Sequence, residues 1–123
     1  MRADDVSLAD ILLAAERITV HLQGISRSAF LQNRTVQAAV EREISIIGEA
    51  AGRVSPEFMS THTELPWKRL VQLRNFYMHA YERLDAREVW ATATRLIPRI
   101  KEQLTLLIPS PEEPVDPSDD VSS

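Results

Sequence analysis

The amino-acid sequence predicts an all-α protein: an up-down four-helix bundle with a kinked last helix and a disordered acidic C-terminal tail. Three observations carry this expectation. Only three of the 123 residues are glycine. β-Branched residues do not gather in short runs as they do in strands. Apolar residues instead recur every three and four positions over long stretches, the period of helices with one buried face.

The first helix is expected from about Val6 to Leu22. Leu8, Ile11, Leu12, Ala15, Ile18 and Leu22 share one face, and Gly24 marks the end. A second helix starts near Asn33, a good N-cap, and carries Val36, Ala39, Val40, Ile44, Ile47 and Ala51 to about Arg53. Val54 to Pro66 reads as a loop with one helical turn after Pro56. The third helix begins at Pro66, which suits a first helical position, and extends to Tyr81 or Leu84. Asp85 caps the fourth, with Glu88 placed to reach back as in a capping box. Its inner stripe is Trp90, Ala93, Ile97, Ile100, Leu104 and Leu107, and Pro98 should kink it by removing one donor. Short connections then favour up-down topology.

Residues 1–108 thus form one expected domain, since this length supports a single modest core. Residues 109–123 form the tail, where four prolines among serines and carboxylates cannot bury a core. The tail holds five of the 18 acidic residues and none of the 14 basic ones, so the body carries 14 against 13. A near-neutral body offers no bulk argument for nucleic-acid binding; such a claim needs a local site. Absent cysteine excludes a disulfide scaffold and thiolate-bound metal. No apolar run approaches the roughly 20 residues that cross a bilayer, and the acidic start is unlike a signal peptide. A cytoplasmic protein without membrane attachment is expected.

One segment looks like a site: Arg74-Asn75-Phe76-Tyr77-Met78-His79-Ala80-Tyr81. On an ideal helix Leu70, Leu73, Tyr77, Ala80 and Leu84 form the core stripe. Asn75, His79 and Glu82 fall nearly opposite, and Arg74 and Tyr81 share a line near the core edge. Val71 and Met78 give the polar face an apolar margin, which reads as a shared surface. Chemically, Arg74 and His79 suit RNA cleavage without a metal. Histidine moves protons near neutral pH, and arginine holds the phosphate as charge builds. Asn75 would orient either one. A single histidine is poorly placed to be both acid and base, and two copies across a twofold axis would supply one of each. Spacing alone favours ordinary surface residues, because Arg74 and His79 project about 140° apart. His21 and His62 read as solvated, and Trp67 and Trp90 as packing. Neither paired-histidine metal spacing nor a Gly-rich phosphate loop occurs.

Taken together, Ile47-Gly48-Glu49-Ala50, Pro66-Trp67, Arg74-Asn75-x3-His79-x-Tyr81 and Asp85 resemble the HepT-like family of the HEPN (higher eukaryotes and prokaryotes nucleotide-binding) superfamily. The resemblance runs in order from about Val6 to Ile108. It implies a four-helix homodimer whose two Arg-x4-His motifs meet in a cleft. It further implies a metal-independent endoribonuclease without cofactors, the toxin of a toxin–antitoxin pair. The implied antitoxin is a minimal nucleotidyltransferase that covers the cleft or attaches AMP to a tyrosine, with higher assembly in the complex. Carried over by position, Arg74 and His79 are catalytic, Asn75 supports them and Tyr81 is the modifiable tyrosine. Glu49 matches a position that serves either a bond to a neighbouring helix or chemistry. The alternative function is a non-catalytic nucleotide- or RNA-binding module that regulates a partner; a helical dimer with a polar seam is a third reading. For the tail, a solubilising extension competes with a segment that screens the cleft from RNA.

Overall fold

Buried apolar side chains organise the longer helices of the computed structural model, which describes residues 2–78 and 85–107. The readings above for the side chains of Tyr77 and Met78, for His79, Ala80, Tyr81, Glu82 and Leu84, and for the tail lie outside the described residues. Among the described residues all regular structure is helical.

Helix α1 (Arg2–His21) buries Leu8, Ile11, Ala14, Ala15 and Ile18. It starts at Arg2 rather than Val6 because Asp4 is anchored. The buried Asp4 carboxylate accepts bonds from the Ser55 N–H (2.8 Å) and hydroxyl (2.7 Å). Gly24 follows with φ +71°, a left-handed conformation that suits glycine just after a helix. A short helix α2 (Arg27–Leu31), absent from the sequence expectation, is capped by Ser26 and held by the buried ring of Phe30. That ring lies 5.3 Å from Trp90, centroid to centroid, and the buried Gln37 donates to the Phe30 carbonyl at 2.8 Å.

Helix α3 (Arg34–Ala51) starts where expected, with the Asn33 side chain accepting from the Val36 N–H at 3.1 Å. It buries Val40, Ile44, Ile47, Ala50 and Ala51 and packs most extensively against α1. The turn after Pro56 is helix α4 (Pro56–Thr61), capped by Ser55. Thus Ser55 both caps α4 and ties it to the start of α1.

The expected continuous third helix is instead two pieces, α5 (Trp67–Gln72) and α6 (Asn75–Met78), joined by a turn at Leu73–Arg74. There the backbone bonds tighten to three-residue spacing: Leu73 N–H to Leu70 (3.0 Å), Arg74 N–H to Val71 (3.3 Å) and Phe76 N–H to Leu73 (3.0 Å). The turn rests directly on α3, and this contact shapes the site described below.

The last helical stretch comprises α7 (Ala86–Ala91), a π-helical turn at Thr92–Leu96 and α8 (Ile97–Leu107). Asp85 caps α7 by accepting from the Arg87 N–H at 2.9 Å. The group that reaches back to Asp85 is the Arg87 guanidinium, at 3.2 and 3.3 Å, and not Glu88 as the capping-box reading held. The widened turn lies just before Pro98, which has no N–H to donate. Ile97 N–H bonds the Thr92 carbonyl, five residues back.

Trp67 and Trp90 pack as expected. The histidines, however, are not simply solvated. His62 stacks on Phe58 at 4.0 Å, and its carbonyl accepts from the Trp67 indole at 2.8 Å. His21 is half-buried, with Nε2 3.8 Å from the Glu43 carboxylate. Among the described residues no helix is long and apolar enough to cross a membrane.

Candidate functional site

A glycine in the last turn of α3 sets the geometry of the site. A Cβ at Gly48 would stand 2.1 Å from the Arg74 backbone nitrogen and 2.7 Å from both the Arg74 Cα and the Leu73 carbonyl carbon. Such contacts are far inside van der Waals range, so α3 and the Leu73–Arg74 turn touch backbone to backbone only because residue 48 lacks a side chain. Ile47 and Ala50 on either side are fully buried, whereas Glu49 is exposed. The Pro66-Trp67 pair fixes the other end of this segment. Pro66 is the N-cap of α5, and Trp67 is buried with its ring edge-on to Phe58 at 5.9 Å.

The contact brings Arg74 and Asn75, both exposed, beside Glu49. An open cleft of about 580 Å³ is lined by Glu49, Gly52, Arg53, Arg74 and Asn75. The Arg53 guanidinium lies 3.6 Å from the Asp10 carboxylate on α1. Two arginines, an amide and a carboxylate thus line one cleft, with the Arg53 guanidinium held towards Asp10. Guanidinium presents a planar fork that matches phosphate oxygens, and a cleft of this size admits a nucleotide-sized group.

Three of the five expected site residues, Arg74, Asn75 and Glu49, thus share one surface. His79 and Tyr81 lie outside the described residues. The helical-wheel placement of Arg74 near the core edge does not hold. The helix breaks at Leu73–Arg74, so the phase of α5 does not carry through, and Arg74 is exposed in the turn. Asn75 is exposed, as expected. Sequence reasoning missed Arg53, for which no local pattern gave a signal. It also missed the reason for Gly48, whose signal was a lone glycine inside an amphipathic helical stretch.

Two carboxyls away from the cleft are held below their ordinary acidity range. Asp4 is lowered by the Ser55 hydroxyl and N–H bonds, and Asp85 by the Arg87 side chain and N–H. Among the described residues no three His, Asp or Glu side chains cluster as metal ligands.

The profile of the family described as ribonuclease HepT-like matches residues 11–107. The chain belongs to this family. The HepT-like match spans the cleft and every helix that builds it. A relative in Thermococcus cleftensis, named "Probable ribonuclease HepT", is 36% identical over 94 residues, covering 76% of this chain and 86% of the relative. A Methanocaldococcus jannaschii protein named as an RNase is 31% identical over 100 residues, covering 81% and 92%. Another, from Caldanaerobacter subterraneus subsp. tengcongensis and also named as an RNase, is 31% identical over 97 residues, covering 79% and 87%. No solved structure matches the chain.

Proposed function

We propose that this HepT-like chain is a metal-independent endoribonuclease and the toxin half of a two-component pair. The observation that carries the reading is the Gly48 contact, which seats Arg74 and Asn75 at one open cleft with Glu49. In the proposed mechanism Arg74 holds the scissile phosphate and offsets its growing charge. His79 of one protomer takes the proton from the ribose 2′-hydroxyl as the 2′-oxygen bonds to phosphorus. His79 of the second copy gives a proton to the 5′-oxygen as its bond to phosphorus breaks. The products are a 2′,3′-cyclic phosphate and a 5′-hydroxyl. Asn75 orients the histidine or the phosphate.

In this reading residues 1–108 are the bundle domain. The elements α1, α3, α5–α6 and α7–α8 are its four up-down members, and the tail is an appended extension. The partner is a minimal nucleotidyltransferase in the same cytoplasm. AMP attached to the Tyr81 hydroxyl would add bulk and negative charge, blocking RNA and competing for Arg74.

The test is RNA incubated with purified protein in the presence of a chelator. Cleavage is expected for the wild type, and a loss of about 100-fold or more for His79→Ala. Undiminished cleavage by His79→Ala would remove the histidine from the chemistry. Growth arrest on expression should be relieved by His79→Ala. Co-expressed nucleotidyltransferase should relieve it too, and Tyr81→Phe should escape that relief if modification is the route.

A further inference from the structure

Four large apolar side chains stand exposed among the described residues, and three of them lie on α1: Val6 (59%), Leu13 (50%) and Val20 (55%). They are spaced by seven, so they form one nearly straight line along the helix. That line runs opposite the buried Leu8, Ile11, Ala15 and Ile18, which makes α1 apolar on two opposed faces. Ala9, also exposed, lies beside the row. Single exposed apolar residues are ordinary, but a row repeating every seven fills one of the two apolar positions per heptad of a helix-pair seam, and Ala9 falls at the other.

We propose that α1 pairs antiparallel with α1 of a second copy of this chain, across a twofold axis beside Leu13. The row is symmetric about its midpoint. In this register Leu13 meets the partner's Leu13, and Val6 meets the partner's Val20. On one flank Asp10 faces the partner's Arg17, twice by symmetry. On the other, Glu16 faces the partner's Ala9, so no like charges oppose each other. Asp10 and Arg17 have counter-charges within the chain, Arg53 at 3.6 Å and Glu43 at 3.9 Å. They stay 46% and 52% exposed, however, and so remain open to a second charge. Antiparallel pairing also opposes the two helix dipoles. A surface complementary to itself in this way is what an isologous interface requires. The fourth exposed side chain, Leu106 (82%), lines with Thr19 an apolar groove of about 400 Å³ between α1 and α8, on another side of α1 from the row.

None of the cleft residues lies on α1, and the two surfaces meet only through the Arg53–Asp10 ion pair; the proposal does not rest on the nuclease reading. Joined to a dimer formed at the cleft, it would build a tetramer.

The chain has no cysteine, which makes the register directly testable in the full-length protein. Under mild oxidation Leu13→Cys is expected to give a disulfide-linked dimer on non-reducing denaturing gels. Val6→Cys and Val20→Cys are expected to stay single when oxidised separately and to cross-link when mixed. Leu13→Glu should lower the sedimentation mass by one pairing step at unchanged helicity. Absent cross-linking at Leu13→Cys overturns the proposal, as does self-linking of Val6→Cys or wild-type mass in Leu13→Glu. A Leu13→Cys dimer that forms only after residues 109–123 are removed assigns the row to the tail and overturns it equally.

Discussion

A methyl group added at Gly48 would meet the backbone of Arg74 at 2.1 Å, and no rotamer change can relieve a contact between two main chains. Alanine gains about 1 kcal/mol of helix propensity over glycine, whereas overpacking costs about 1–3 kcal/mol and more where nothing can move. The clash wins, so Gly48→Ala is expected to lower the urea midpoint and to displace Arg74 from Glu49. Asp4 acts through charge. Its folded-state acidity lies below the ordinary 3.8 because the Ser55 hydroxyl and N–H hold the ionised form. The stabilisation is complete well above 3.8, and it is lost as pH falls through 3.8 towards the lower folded value. Urea midpoints measured down the acid range should therefore fall less steeply for Asp4→Asn than for the wild type, from a lower starting point near neutrality. Gly48 was legible as an anomaly, but what it touches was not, because that atom belongs to another helix. Asp4 read merely as part of an acidic start; its partner Ser55 is distant in sequence.

The same division recurs for whole elements. α1, α3 and the α7–α8 stretch were legible because each carries a long apolar period and a cap or stop signal. α2 was not, since five residues are too few to show a period, and its helix depends on one ring. Phe30 is fully buried against Trp90, so Phe30→Ala is expected to cost about 3–5 kcal/mol in chemical denaturation and to release α2 from the core. The third helix was legible in its buried residues Trp67, Leu70 and Leu73 but not in its continuity. Periodicity reports which side chains face the core. It does not report a turn imposed by a neighbouring backbone, and the break at Leu73–Arg74 is of that kind. At the final helix, Pro98 announced an interruption without giving its form, which is a π-turn just before it.

Across the whole molecule, family membership follows from a profile match over residues 11–107, and the nuclease reading follows from the cleft that those residues build. Charge pattern alone pointed nowhere, because the near-neutral body hides Arg53 and Arg74 on one local surface. Glu49 comes from α3, Arg53 from the turn that follows it and Arg74 from the α5–α6 turn, so no single stretch of sequence displays all three together. The tail contributes no basic residue and no apolar period. Removing residues 109–123 is therefore expected to leave the unfolding midpoint and RNA affinity unchanged across ionic strengths.

The central claim is that the cleft beside Gly48 cleaves RNA with Arg74 on the phosphate. It is tested most directly by the single-turnover cleavage rate of Arg74→Ala in chelator, on protein whose urea midpoint is also measured. Arg74 is exposed, so the substitution should change stability by no more than about 0.5 kcal/mol, while the rate falls by about 100-fold or more. A variant that folds as the wild type does and cleaves at the wild-type rate would contradict the account.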